Sequence, residues 1–338
     1  MRASIAVLTF MAALCALAPA AANDTIAELT TGGLVFAKAP DVQMRAEDLF
    51  VSEKQIHVRY RFFNASHDDV VGIVAFPMPD IVWRGLDVNI AIPSQDPENF
   101  LDFHTLADGR AVVARIEQKV LANGVDETAR LRALGVPLAP QLSRTSAALD
   151  ALPPAMQREL VALQLATPDD YDVGKGMEHH LAPNWTLKST FFWPQTFPAG
   201  REVVIEHDYR PSVGETAGTP LGSRDSERSS LAHYQAAYCV DQDFLNSARR
   251  AMAKPDAFGV VASPFFERRI AYVLTTGANW AGPIGDFRLV VDKGAPDSLV
   301  SFCGEGVRKI APTQFEVRHA NFTPSRNLDV LILYRHKT

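Results

Sequence analysis

The chain has 338 residues, of which 47% are apolar and 21% are charged, and its formal net charge is −6 at pH 7. This length leaves room for two domains of ordinary size, and the composition is typical of a globular protein. A nucleic-acid-binding surface needs an excess of basic residues, so the acidic balance argues against nucleic acid as a partner. It also gives no reason to expect attraction to anionic membranes.

The N-terminus has the pattern of a secretory signal. Arg2 supplies a positive charge, Ile5 to Leu17 supply an apolar core, and Ala18 to Ala22 supply the small residues of a cleavage site. This pattern predicts a signal peptide over residues 1–22 and a mature chain that starts at Asn23. The alternative is a retained anchor, but the apolar run is shorter than the roughly 18 residues that span a bilayer. We therefore expect a periplasmic or secreted protein with no transmembrane segment after cleavage.

Export changes the interpretation of the cysteines. Cleavage removes Cys15 and leaves Cys239 and Cys303. Two thiols in an oxidising compartment usually pair. The bridge would close a loop of about 65 residues, which contributes about 4 kcal/mol in the chain-entropy description. The alternative is two separate buried thiols.

The first part of the chain is rich in strand patterns. In the segment from Gln55 to Phe62, apolar and polar residues alternate with a period of two, which predicts a half-buried strand in an antiparallel sheet. A turn and a second strand, Val70 to Phe76, follow. The pair Asp108-Gly109 is a hairpin signal.

The period then changes over residues 121–182, which we interpret as a helical insertion. Pro154 suits a first helical turn, and Met156, Leu160 and Leu163 repeat at helical spacing. Strands resume after it. In one of them Val203, Ile205 and His207 share a face, again with a period of two.

Residues 214–231 are rich in Gly, Ser, Thr and charge, so they are the best candidate linker. Beyond it we predict a strand at Tyr234 to Val240 and a helix at Asp241 to Ala253, capped by Asp241 or Asp243. The sequence thus predicts a mainly β fold of two sandwich-like units, residues 23–213 with the helical insertion and residues 232–338.

The second unit contains a predicted long-looped hairpin. Its strands are Ile270 to Thr275 and Phe287 to Val291, and its loop carries Asn279 and Trp280. An exposed Trp on such a loop would be a binding site, and these two residues are the candidate binding loop. The alternative, which we favour, is that Trp280 packs in the core.

Motifs for chemistry are scarce. The sequence has no HExxH, no G-x-S-x-G and no dinucleotide fingerprint, so we expect no catalytic constellation, metal site or cofactor. The densest set of potential ligands is Glu178-His179-His180. Adjacent residues of an extended chain point to opposite sides, so a shared metal would need further ligands, for example His207 or Asp208.

Several segments together resemble a bacterial exported family called domain of unknown function 4424. They are Met44–Leu49, Val58–Asn64, Phe76–Asp80, Phe197–Glu202 and Thr276–Phe287. The resemblance covers nearly all of the mature chain. It implies an exported, β-rich protein with no established activity, so no catalytic residue follows from it.

A partial resemblance is to the vault/inter-alpha-trypsin type of domain. It consists of a strand that ends in Arg61–Asn64, a turn, and a strand that ends in Phe76–Pro79. Domains of that type are β-sandwich modules of adhesive and assembly proteins. Their usual von Willebrand A companion, with its D-x-S-x-S metal site, has no counterpart in this sequence.

These observations favour a non-enzymatic binding or scaffolding role in the bacterial envelope, with an unknown envelope protein or ligand as partner. The alternative is an envelope hydrolase, which would use Glu178, His179, His180 or His207 and a metal ion.

Overall fold

A computed structural model describes residues 23–30, 33–85, 89–222, 224–252 and 263–335. The predicted signal peptide lies outside these residues. The strands are β1 (Thr25–Thr30), β2 (Gly33–Ala37), β3 (Val42–Val51), β4 (Ile56–Asn64), β5 (Val70–Pro77), β6 (Ile81–Arg84), β7 (Ile90–Ala91), β8 (His104–Ala107), β9 (Arg110–Val112), β10 (Arg115–Ala122), β11 (Val125–Asp126), β12 (Ala166–Asp172), β13 (Met177–Phe197), β14 (Glu202–Tyr209), β15 (Val213–Thr216), β16 (Phe265–Tyr272), β17 (Ile284–Asp292), β18 (Leu299–Phe302), β19 (Arg308–Lys309), β20 (Gln314–Phe322) and β21 (Leu328–Arg335). The helices are α1 (Thr128–Ala133), α2 (Ser143–Asp150), α3 (Pro154–Ala162), α4 (Arg224–Tyr238) and α5 (Gln242–Ala251).

The described strands form three sheets, so the mainly β prediction is confirmed. The first sheet runs β11-β10-β13-β5-β1-β2, and β6 and β12 also pair with β13. The second runs β19-β20-β17-β3-β4-β14-β8-β9, and the third runs β18-β21-β16-β15-β7. Strands from the two halves of the chain meet in the second sheet, where β17 pairs with β3 in parallel.

The alternating pattern of β4 has the predicted consequence. Ile56, Val58, Tyr60 and Phe62 are fully buried. The polar residues between them face outward, because successive side chains of a strand point to opposite faces. The same alternation holds in β14, where the buried positions include His207. These two paired strands form the middle of the second sheet.

The segment at residues 121–182 is helical only in part. Helices α1 to α3 lie within it, and the rest of it is the end of β10, β11, β12 and the start of β13. Strands β12 and the first part of β13 pair to form an arm, residues 166–183. Trp185, just beyond the arm, donates a hydrogen bond from Nε1 to the carbonyl of Leu138 at 2.9 Å, which fastens the helical segment to β13.

The predicted hairpin of the second unit is wrong. Strand β16 pairs with β15 and β21 in the third sheet, whereas β17 pairs with β3 and β20 in the second sheet. A 3-10 turn at Thr275–Asn279 starts the connection. Trp280 then lies buried against Phe62 and Phe197, with ring centroids 4.4 and 5.7 Å away. The connection therefore passes between layers and cannot join neighbouring strands.

The strand predicted at Tyr234–Val240 is also wrong, because α4 extends to Tyr238. Leu231, Tyr234 and Tyr238 recur at i, i+3 and i+7, a helical spacing whose last two members are buried. The next helix agrees with its prediction. The Asp241 carboxylate caps α5 by accepting a hydrogen bond from the backbone N–H of Phe244 at 2.7 Å.

The described helices include none that is both long and apolar enough to cross a membrane.

Candidate functional site

An open groove of about 770 Å³ lies between the β8–β9 hairpin and β10. Leu106 and Val113 stand on its walls, and the side chain of Val113 is 90% exposed. Phe103 and Phe191 form its floor and stack with ring centroids 4.3 Å apart. The groove is an accessible surface with apolar walls, which is the usual character of a binding site.

Thr105 links this groove to a buried polar network. It lines the groove, yet it is only 4% exposed. Its hydroxyl and Nδ1 of His207 share a hydrogen bond of 2.8 Å, and Nε2 of His207 lies 3.0 Å from Oδ1 of Asp24. The side chains of His207 and Asp24 are 0% exposed. An acid, an imidazole and a hydroxyl thus form one hydrogen-bonded chain that ends at the floor of the groove.

Aromatic rings hold His207 in place. The rings of Phe76, Phe103 and Trp193 have centroids 4.6, 5.1 and 5.3 Å from the imidazole. These rings come from β5, β13 and the segment before β8. Burial among them excludes water, so the polar atoms of the histidine depend on Asp24 and Thr105.

The network continues to Glu47 through the first described residue. Asn23 donates from Nδ2 to Oε2 of Glu47 at 3.0 Å and from its backbone N–H to Oγ1 of Thr276 at 2.6 Å. Trp280 donates from Nε1 to the carbonyl of Asp24. Asn23 and Asp24 are therefore fixed by Thr276 and Trp280, more than 200 positions later in the chain.

Burial shifts the pKa values of the carboxyl groups in this network. It raises the pKa of Glu47 to about 8 and raises the pKa of Asp24, although His207 acts in the opposite direction on Asp24. Oε1 of Glu47 and Oδ2 of Asp24 have no hydrogen-bond partner among the described residues. A buried carboxylate that lacks partners favours its neutral form, since the charge is not solvated.

Two tyrosines lie next to the carboxylates. The hydroxyls of Tyr60 and Tyr272 share a hydrogen bond of 2.8 Å, and both side chains are fully buried. Burial raises the pKa of each tyrosine well above its ordinary value, and the negative charges of Glu47 and Asp24 act in the same direction. Tyr60 belongs to the second sheet and Tyr272 to the third, so this bond joins two sheets.

The cluster Glu178-His179-His180 lies elsewhere, on the exposed arm. His179 bonds to Asp170 at 3.0 Å, and His180 bonds to Asp150 at 2.8 Å and to Glu178 at 3.2 Å. His207 is buried in the network and bonds none of them. In the described part of the chain, no group of three or more His, Cys, Asp or Glu side chains has the arrangement of a metal site.

The candidate binding loop belongs to the buried network. Asn279 donates from Nδ2 to Oγ1 of Thr25 at 3.0 Å, and Trp280 is 4% exposed. The loop as a binding site remains a prediction, and its geometry is that of a packed connection.

Cys239 and Cys303 form a disulfide in the structure, with Cα atoms 5.0 Å apart. They line a second cavity, of about 490 Å³, whose lining is more apolar than that of the groove. Arg326 stands at this cavity, but it donates from Nη2 to the carbonyls of Ala236 and Ala237 at 2.7 and 2.9 Å. Through these hydrogen bonds the guanidinium of Arg326 stabilises the C-terminal end of α4.

Sequence reasoning missed Asp24, Glu47 and Thr105. The structure shows why Glu47 was missed: the buried positions of β3 are even-numbered at Val42 and Met44 and odd-numbered from Glu47 onward. The register shifts between Met44 and Ala46, which is a β-bulge. The bulge turns Glu47 into the core. No local pattern indicates that Asp24 meets His207.

The comparisons with known proteins agree with the resemblance seen in the sequence. Residues 22–331 match the family described as "Domain of unknown function (DUF4424)", and the chain belongs to this family. No match was found among curated proteins. The chain is also similar to a solved structure from Legionella pneumophila titled a "putative nutrient binding protein". The identity is 15%, the match covers 93% of this chain and 70% of the other, and the TM-score is 0.44.

Proposed function

We propose that this member of the DUF4424 family is an exported binding protein of the bacterial envelope, and that its groove accepts an extended polypeptide segment. The signal-like sequence before Asn23 and the disulfide support export, because disulfides persist in oxidising compartments. The observation that carries the binding role is the combination of the groove with the outer edge of β9, which pairs only with β8 among the described strands.

The edge of β9 has backbone groups available for pairing. Asp108 and Gly109 have φ angles of 49° and 74°, which fit a two-residue type I′ turn. In such a hairpin the pairs Ala107–Arg110 and Thr105–Val112 exchange backbone hydrogen bonds. The N–H and C=O of Ala111, which lines the groove, then point away from β8.

A polypeptide fits this surface better than a compact small molecule. An added strand would bond to the outward backbone groups of β9, and its alternate side chains would pack on Leu106 and Val113. The groove is open to solvent, whereas small-molecule sites enclose most of the ligand surface. The outward side chains and the backbone together predict recognition of an extended, partly apolar segment.

Site-specific photo-crosslinking tests this proposal. A benzoylphenylalanine at position 113 should give protein adducts in intact cells. The matched control is position 71, where Val71 is 72% exposed on β5 of the first sheet. Equal adducts at both positions, or none at 113, would contradict a binding role for the groove. Fractionation and N-terminal sequencing of the same protein test export.

A hydrolase is the second candidate, favoured by the chain Asp24–His207–Thr105. If Asp24 is ionised, His207 donates a hydrogen bond from Nε2 to Asp24 and accepts one at Nδ1 from the Thr105 hydroxyl. These are the hydrogen-bond directions of a hydroxyl nucleophile, its general base and the acid that orients the base. A fluorophosphonate probe would distinguish the candidates. Labelling of Thr105, absent in Thr105→Val, would favour the hydrolase over the binding protein.

A further inference from the structure

The first residues that the structure describes lie in acidic and fully buried surroundings. Asn23, Asp24 and Thr25 have no exposed surface. The backbone nitrogen of Asn23 donates to the hydroxyl of Thr276, and that hydroxyl donates to the carbonyl of Asn23 at 2.7 Å. This reciprocal pair fixes the position of the nitrogen inside the protein.

The same region has more negative than positive groups. Asp24 and Glu47 each have one side-chain oxygen without a partner among the described residues, and His207 is the single imidazole beside them. No lysine or arginine in the described ranges forms an ion pair with either carboxylate. Two buried carboxyl groups share one imidazole here, so a further cation would be needed to hold both of them ionised.

We propose that this cation is the α-ammonium group of Asn23, which cleavage of the signal peptide creates inside the core. The proposal rests on the export included in the proposed function. An envelope peptidase adds one water across the bond between Ala22 and Asn23. The C–N bond breaks, Ala22 leaves with a carboxylate that keeps the oxygen of the water, and the Asn23 nitrogen gains both protons of the water. That nitrogen changes from one donor into three donors with a positive charge.

The titratable groups around this position come from several elements. They are Asp24 from the chain start, Glu47 from β3, Tyr60 from β4, His207 and Tyr209 from β14 and Tyr272 from β16. In the uncleaved chain the neutral amide leaves Glu47 with a pKa raised to about 8 by burial, and hence mostly protonated at pH 7. The ammonium would hold Glu47 ionised, so the core would reach full stability only after cleavage.

Two purified chains test the proposal without any need for a partner. One starts at Asn23, released from a fusion by a protease that cuts directly before it, and the other retains Ala20 to Ala22. The Asn23 chain should melt about 5 °C or more above the longer chain. The substitution Glu47→Gln in both chains should shrink this difference, because it removes a carboxylate that the ammonium neutralises.

Amine labelling provides an independent readout. At pH 7 the α-amino group of the folded Asn23 chain should resist an amine-reactive reagent, and the same group should react after unfolding in urea. Equal melting temperatures, a difference that Glu47→Gln leaves unchanged, rapid labelling of the folded chain, or an Asn23 chain that fails to fold would each overturn the proposal. Export fails separately if the native protein starts elsewhere, and the groove fails separately in the crosslinking at position 113.

Discussion

Histidines meet carboxylates in two regions of this protein, the buried network and the exposed arm. In the network, His207 and Asp24 are both 0% exposed and lie 183 positions apart in sequence. On the arm, His179 and Asp170 are 76% and 44% exposed and lie nine positions apart. Similar distances, 3.0 Å in both pairs, therefore accompany opposite environments.

The difference teaches that the number of acid–imidazole contacts says little about their energetic weight. Water solvates the charges on the arm and screens their attraction, so such a pair contributes at most about 1 kcal/mol. In the network no water replaces a lost partner, and an uncompensated buried group costs several times as much. The buried network therefore suits a role that needs side chains held in one geometry. The groove beside it suits a role in which a partner must reach the protein surface.

The largest expected effect separates the two regions directly. His207→Ala removes the partner of both Asp24 and Thr105, so we expect the free energy of unfolding to fall by about 3–5 kcal/mol. His179→Ala on the arm should change it by less than about 0.5 kcal/mol. Urea denaturation followed by fluorescence measures both. Similar losses in the two variants would show that burial does not govern these contacts.

A second effect is the pH dependence of stability in the chain that retains residues before Asn23. Burial raises the pKa of Glu47 from 4.5 to about 8, so the folded state binds more protons than the unfolded state between these values. Stability should therefore fall as the pH rises through this window, by an amount on the order of a few kcal/mol.

Glu47→Gln should flatten that slope and make the protein more stable than its parent at pH 8, as measured by urea titrations from pH 5 to 8. The residual slope includes Asp24 and Asp329, whose pKa values are also raised by burial, and His180, whose pKa is raised by its hydrogen bonds to Asp150 and Glu178. Glu305→Gln, at an exposed position of the chain, is the matched control and should leave the slope as it is. A slope that survives Glu47→Gln unchanged would assign the pH dependence to other groups.

The smallest of the three effects concerns the bulge that turns Glu47 inward. A Cβ added at Gly285 would lie 2.6 Å from the carbonyl oxygen of Arg45, the bulge residue. Gly285→Ala should cost about 1–3 kcal/mol, because the backbone must move. Gly214→Ala, also in a strand, meets its neighbours no closer than 3.6 Å and should cost less. Calorimetric melting of both variants checks this, and equal melting points would argue against a tight bulge.

The faces of single strands could be predicted from the sequence, and the partners of those strands could not. The alternation in β14 is enough to put His207 on the same face as apolar residues, and the helical spacing and cap of α5 are equally local. The strands β16 and β17 have the pattern of a hairpin because they are consecutive and both β-like. Sequence proximity favours pairing but does not require it, and burial of Trp280 between layers competes with it.

The sequence by itself determined the mainly β class, the family, the inward direction of His207 and the two cysteines available for a bridge. These properties depend on composition, on local periodicity or on motifs of a few residues. The tertiary structure decided that Asp24, Glu47, Thr105 and His207 share one buried network beside a groove. That decision is non-local, since many strands of similar pattern compete for each position in a sheet, and only their joint packing selects the pairs.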